Sequence, residues 1–390
     1  MFTEGYGWLP NRRRRSGDDV VHIRLPGKRM VAVCGPEATR FFYDEANFER
    51  DIPMPVQDTL FGRGAVHTLN GEQHRARKAM FMELVSPDSV VDLVNSTMKA
   101  WDAAAGSWAD GHRVVLFDEA SRVLTKGVCE WAGVPLRESE VDSLAADLVA
   151  MVDGFATAGP RHWRARRARS RREAWFGKRL TLDAFKSLEP HTAAVELLNV
   201  IRPTVAVSWY VMFAAHALHR WPRYRAPLAA GGGVFVEAFT HELRRFYPFA
   251  PFLAAKAQHE LTWRGHTIPQ GSMVLLDVYG QHHHTELWDE PYRFDPQRFA
   301  GRSPGEFDLI PQGGGDPRTG HRCPGEAFTT ALLQAFTVRL ARMDYEVPKQ
   351  DLGISLRRIP AKVSSGFVLA PKARVNSQRY RDLPAAVTVH

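Results

Sequence analysis

Residues 190–220, "PHTAAVELLNVIRPTVAVSWYVMFAAHALHR", constrain this chain more than any other stretch. Their apolar residues face every side of a helix, which places such a helix inside a protein or a membrane. The longest apolar run within it, Pro203 to Leu218, is too short for a bilayer, which needs ~20 apolar residues. The stretch is therefore read as a buried core helix, with no stable membrane insertion. A chain of 390 residues can wrap it in a core large enough to enclose a cofactor.

Arg202 and Pro203 stand in the middle of this helix. A buried guanidinium needs a partner, because an uncompensated buried charge costs several kcal/mol. Its helix neighbours at three and four residues are Leu198, Asn199, Val205 and Ala206, none of them acidic. The partner must come from elsewhere in the fold or from a ligand. Pro203 removes the bond to the Asn199 carbonyl and should kink or open the helix there. Two readings follow. Arg202 binds a ligand carboxylate through two parallel hydrogen bonds, or it is a structural arginine bonded to carbonyls that the proline frees.

The rest of the chain reads as mainly helical with a minor β part, in one domain spanning residues 1–390. Residues 1–17 read as a loosely packed arm. "VVHIRL" and "RMVAVCG" flank "PGK" as a hairpin. Apolar residues three and four apart mark helices in "PDSVVDLVNSTMKAWDAAAGSWA", "RESEVDSLAADLVAMVDGFA", "FVEAFTHELRRFYPF" and "AFTTALLQAFTVRLARM". "HELTWRGHTI" and "SMVLLDVYG" read as strands, "QHHHTELWDEPYRFDPQRF" as a polar meander, and "ISLRRI" and "GFVLAP" as short closing strands.

The net charge of +8 fits nucleic acid, a membrane surface or acidic small molecules. Much of the excess lies in "RHWRARRARSRR", read as a solvated helix face. Its aromatics are not interleaved as a base-stacking platform would need, so no nucleic acid partner is expected. The three cysteines have no C-x-x-C spacing, which excludes a zinc ribbon or a redox pair. With no signal peptide pattern, a reducing, cytoplasmic location is expected.

"DPRTGHRCPGE", residues 316–326, places Cys323 in a glycine-rich loop that runs into an apolar helical pattern. Pro324 suits a first helical position. Cys323 would then sit at a helix N-terminus, where unpaired N–H groups favour a thiolate. The glycines allow close approach to something large and flat. A thiolate so placed suits haem iron. The alternative is a buried free cysteine.

Glu242 and Arg245 in "HELRR" form an E-x-x-R pair, and Arg298 lies in "PYRFDPQRF". In this order before Cys323, the set resembles the cytochrome P-450 superfamily nearly end to end. The resemblance implies a haem b held by Cys323 as its metal ligand, with the Glu–Arg–Arg triad structural. His321, two residues before the cysteine, matches a haem-propionate partner. His74 and Lys78, four residues apart on one helix face, match the helix that reaches the propionates.

The cysteine loop departs from the usual form, with Asp316 where the superfamily has phenylalanine. "PQGGGDPRTGHRCPGE" and "NVIRPTVA" resemble the fatty-acid peroxygenase branch instead. That resemblance makes Arg202 and Pro203 catalytic. The arginine holds a long-chain fatty acid by its carboxylate. The carboxylate then performs on hydrogen peroxide the acid–base work that an absent acid–alcohol pair would perform on dioxygen. No redox partner is required. "DTLFGRGAVHTLNGEQHRARKAMF" resembles the same branch. His67 matches a position that is histidine in members favouring oxidative decarboxylation to terminal alkenes and glutamine in typical hydroxylating members. An imidazole that gives or holds a proton could bias that choice. Leu60, Phe61 and Phe249 match apolar substrate-pocket positions.

The function implied is peroxide-dependent oxidation of long-chain fatty acids, by decarboxylation and α/β-hydroxylation. A ferredoxin-dependent fatty-acid monooxygenase and a non-catalytic fatty-acid or haem-binding protein are the alternatives.

Overall fold

A computed structural model describes residues 3–25, 28–108, 112–155, 157–179 and 181–372. The apolar stretch forms two collinear helices, Pro190–Val205 and Val207–Arg220. Together they are the one helix among the described residues long and apolar enough to cross a bilayer. Its most apolar window is 94% buried inside the protein, so it is the core helix the pattern required. Glu189 caps the start, its carboxylate accepting from the His191 and Thr192 N–H groups.

Helical assignment continues through Pro203 and breaks only at Ala206, whose N–H still bonds the Arg202 carbonyl at 3.0 Å. The opening therefore falls three residues beyond the expected position. Packing on all sides holds the turn around the proline together, as tertiary context often overrides a local helix breaker.

Long helices surround this axis: Pro87–Ser107, Leu116–Trp131, Glu138–Gly154, Pro160–Phe176, Gly233–Phe246 and Glu326–Arg342. Ser86 caps the first, accepting from Ser89 N–H at 3.1 Å, with Pro87 at its first position. Trp101, Trp209, Phe213, Phe239 and Phe336 fill the large core between helices.

The β part is smaller. A five-stranded sheet runs Val20–Leu25, Lys28–Val33, Met273–Leu276, Leu253–Ala257, Phe48–Glu49. The first pair is the expected hairpin, in register from Val20↔Val33 to Leu25↔Lys28. Its turn residues Pro26 and Gly27 lie outside the described residues. Lys28–Val33 pairs in parallel with Met273–Leu276. Leu261–Trp263 and His266–Ile268 form a separate hairpin, and Val368–Pro371 joins two short strands.

Several sequence expectations are corrected. Residues 5–16 are not a loose arm: Gly5–Gly7 and Trp8–Ser16 are helical, and Tyr6, Trp8 and Leu9 are buried. Tyr6 donates its hydroxyl hydrogen to the Phe249 carbonyl at 2.5 Å. "SMVLLDVYG" is a strand only over Met273–Leu276, and Val278–His282 is helical, capped by Asp277. "ISLRRI" makes one bridge, Ile354 to Val363, and no strand. The basic helix is not wholly solvated either. Arg169 and Arg172 are buried, because they meet acidic and carbonyl groups of other segments.

Candidate active site

The cysteine loop is pinned from both sides. Cys323 N–H donates to the Gln312 carbonyl at 2.9 Å, and Gln312 Nε2 lies 3.5 Å from the sulfur. Gln312 is itself held by Arg244 at 2.9 Å. Arg244 and Arg322 both pair with Glu326 in the first turn of the Glu326–Arg342 helix. Gly313, at φ 97°, passes so close to Tyr43 that a Cβ would lie 2.5 Å from its hydroxyl. The helix begins at Glu326 behind Gly325, so Pro324 is not its first residue and Cys323 stands further out than expected. Burial pushes the Cys323 thiol up, opposed by the Gly325 N–H, Lys78 and Gln312. A bound metal ion removes that proton outright.

Behind the loop, the Glu242 carboxylate meets Arg245 through two bonds of 2.7 and 2.8 Å and Arg298 at 3.1 Å. Arg245 also donates to the carbonyls of His282 and Pro291, at 2.6 and 2.8 Å. All three side chains are largely or wholly buried, and the triad ties the Gly233–Phe246 helix to the meander.

On one side of Cys323 the rings of His74 and His321 stack, with centroids 3.8 Å apart. Lys78 donates to the Gly320 carbonyl at 3.0 Å and to the Arg322 carbonyl. His74 and Lys78 are both buried. Burial, then neighbouring positive charge, pulls His74 to about 4, and burial pulls Lys78 to about 8. His321 is lowered further by burial and by Arg50. Arg50 is a residue the sequence reading missed. It sits over the Phe42 ring at 4.5 Å, in "FERDIP", which carries no motif.

This group suits haem carboxylates. His74 Nδ1 is buried without a partner, and the cluster is short of negative charge. Glu45, exposed at the rim, is the one carboxylate grouped with His74 and His321. An open cleft of about 600 Å³ lies outside this group, lined by Tyr43, Arg75, Trp263 and Asp316 among others. None of Cys323, Arg202 or His67 lines it.

Arg202 is buried and has no hydrogen bond or ion pair to any described residue, and its Nε is fully enclosed. Burial, with Arg169 nearby, lowers it to about 9, partly offset by Cys323. Its guanidinium carbon lies 5.8 Å from the Phe61 ring. The His67 ring stacks on the other partner of that contact, Phe61, at 4.2 Å. Burial, then Arg202, holds His67 well below the usual imidazole range, and its Nδ1 is enclosed without a partner. The shift favours the neutral ring.

Phe61, His67 and Arg202 come together through the Phe61 ring, and Leu60 is buried next to Phe61 in the same turn. Phe249 packs instead on Trp209 and Tyr210, at 6.0 and 5.6 Å. That is about 10 Å along the helix axis from Arg202. A buried polar network, also missed from the sequence, backs the first group. Glu196 accepts from Val66 N–H at 2.8 Å and from Arg77 at 2.7 Å, and Asn199 donates to the Phe61 carbonyl at 2.8 Å. A carboxylate inside the apolar stretch was the available signal.

A loop presenting a buried cysteine, a cationic cluster beside it and a guanidinium without a partner among the described residues are the features of a haem-thiolate protein. The cytochrome P450 family model matches residues 234–365, and the chain belongs to the cytochrome P450 family, whose fold carries a haem iron. Among curated relatives, Cytochrome P450 71A8 of Mentha piperita is 31% identical over 140 residues, 32% of this chain and 27% of that protein. Cytochrome P450 4A11 of Homo sapiens is 31% identical over 131 residues, 33% of this chain and 24% of that protein. The chain thus aligns with about a quarter of the length of these relatives.

Solved structures match almost throughout. Cytochrome P450EX alpha with myristic acid is 36% identical, covers 95% of each chain and has a TM-score of 0.89. Cytochrome P450SP alpha in complex with (R)-ibuprophen is 38% identical, covers 95% of this chain and 97% of that one, and scores 0.90. Cytochrome P450 OleT, ligand-free, is 34% identical, covers 95% of each and scores 0.90.

Proposed function

We propose that this chain is a haem-thiolate enzyme that uses hydrogen peroxide to oxidise long-chain fatty acids. Its products are terminal alkenes, by oxidative decarboxylation, and α- and β-hydroxy acids. The observation that carries the reading is Arg202, a buried guanidinium without a hydrogen bond or ion pair to any described residue. Such a group costs several kcal/mol unless a ligand supplies the counter-charge, and a carboxylate is the ligand its planar fork fits. Similarity to cytochrome P450EX alpha with myristic acid supports a fatty acid.

Cys323 would hold the haem iron, and His321, His74, Lys78 and Arg50 its carboxylates. When bound, the haem supplies the metal centre at which peroxide is activated and a C–H bond oxidised. Arg202 holds the substrate carboxylate by two charge-assisted bonds. Held there, a carboxylate oxygen can take a proton from one peroxide oxygen and return it to the other. Pro203 leaves the Asn199 carbonyl without its helix donor, next to where the head group would sit. Phe61 and Leu60 wall the first methylenes, Phe249 lies further along the chain path, and His67 offers a neutral ring nitrogen beside the head group. A single domain carries all of this, needs no redox partner, and works in the cytoplasm, where its three free cysteines stay reduced.

Purified holoprotein, a long-chain fatty acid and peroxide, with products separated by mass, test this. Alkene and hydroxy acids without any reductase are expected. Turnover only with ferredoxin and its reductase would instead make it a monooxygenase. A fatty-acid-induced spectral change without product would make it a binding protein.

A further inference from the structure

The wall that carries Leu60 and Phe61 is shaped from outside its own segment. Gln57–Phe61 winds as one π-turn, a geometry that concentrates at functional sites. Gly62 ends it with φ 85°. A helix end leaves carbonyls without partners in the helix. Here the last two fall on one side chain of the Pro160–Phe176 helix: Arg169 Nη1 donates to the Leu60 carbonyl at 2.6 Å and Nη2 to the Phe61 carbonyl at 2.7 Å. Nε donates to Glu173 at 2.6 Å, which balances the charge. Asn199, three residues before Arg202 on the core helix, adds the second donor to the Phe61 carbonyl.

The wall and the carboxylate anchor are thus referred to one frame. Space around Arg169 is closed: a Cβ on Gly62 would lie 2.3 Å from Nη2 and 2.8 Å from Val195 Cγ1. We propose that Arg169 is a positioning residue that sets which substrate carbon is oxidised, by fixing the Leu60–Phe61 wall relative to Arg202. The inference rests on the fatty-acid reading above. A planar guanidinium is needed because two carbonyls and a carboxylate must be met at once, which a lysine ammonium does only in part. Arg169 also stands close enough to Arg202 to weigh on its charge.

Arg169→Gln, Arg169→Lys and Gly62→Ala are compared with wild-type holoprotein. In Arg169→Gln and Gly62→Ala the ratio of α- to β-oxidised products should shift about threefold or more. KM should rise no more than about twofold, because the Arg202 guanidinium remains and losing the Arg169 charge favours its charged form, and the thiolate-type carbon monoxide spectrum should be retained. Arg169→Lys should fall between. Independently of turnover, the absorbance shift induced by a saturating fatty acid should change in amplitude in both variants. Wild-type product ratios and shift amplitudes in both Arg169→Gln and Gly62→Ala would overturn the inference. So would a misfolded Arg169→Gln beside a wholly wild-type Gly62→Ala. Absence of product from the wild type itself would instead overturn the proposed function, and the shift amplitudes would still decide the role of Arg169.

Discussion

The His67 ring lies stacked on the Phe61 ring, centroids 4.2 Å apart and planes 24° from parallel. One neighbour of that pair is a charged guanidinium, Arg202, 5.8 Å from the phenyl centroid. Burial, then the Arg202 charge, lowers the His67 imidazole well below its ordinary range.

His67→Gln should keep haem and substrate binding, since both side chains offer a hydrogen-bond donor. The amide cannot match the ring's stacking on Phe61, so the alkene fraction should fall relative to hydroxy acids. A change of ~1.4 kcal/mol between competing steps alters the ratio tenfold. Because His67 is lowered well below its ordinary value, the wild-type ratio should be flat between pH 6 and 8. Product analysis by mass across that range checks both points. Equal ratios in wild type and variant would remove the imidazole from the choice.

Arg202→Ala should bind haem and lose fatty-acid turnover. Hydrogen bonds to a charged group are worth ~1.5–3 kcal/mol, so a loss of ~10- to 100-fold in kcat/KM is the minimum expected. A small added carboxylic acid should restore part of the peroxide activity toward a neutral substrate. Pro203→Ala should be milder, because it leaves the charge in place. Steady-state kinetics read all three, and wild-type kcat/KM in Arg202→Ala would dismiss the anchor.

Cys323→Ala removes the sulfur that Gln312 and its loop hold in place. The carbon monoxide spectrum of the reduced protein should lose its thiolate character, and peroxide-driven turnover should vanish. An unchanged spectrum would end the haem-thiolate assignment.

Acid should destabilise the haem-free protein before its carboxylates titrate. Burial lowers His74, His216, His241 and His283 from 6.5 to about 4. Between those values the unfolded chain binds protons that the folded one does not. Stability is therefore full above pH 6.5 and falls as pH drops toward 4, by up to ~1.4 kcal/mol per pH unit for each group. Asp277, raised to about 6 by burial, opposes this with one proton of the other sign. Thermal unfolding midpoints of the apoprotein should decline steadily from pH 6.5 to 5. A flat profile would contradict the buried neutral histidines.

The sequence by itself determined the parts that depend on local order. The apolar stretch 190–220 could only be a core helix, and it is. The order of Glu242, Arg245, Arg298 and Cys323 marked the family before any fold was known, and a buried arginine without local acids announced a missing partner. Tertiary structure alone decided whether that partner existed. Arg169 finds Glu173 and two carbonyls, whereas Arg202 finds none among the described residues. Glu173, four residues on, is a local partner legible for Arg169, but the two backbone carbonyls it also meets are not, and the exposed and buried arginines of residues 161–172 look alike in sequence. What separates them is desolvation and Coulomb interaction, which depend on distance in space between segments that lie from about 25 to more than 100 residues apart. Periodicity and spacing report which face of an element is apolar; they carry no term for what lies opposite that face. For the same reason the stacking of His74 on His321, the hydrogen bond from Tyr6 to the Phe249 carbonyl and the lowered basicity of His67 could be fixed only by the folded chain.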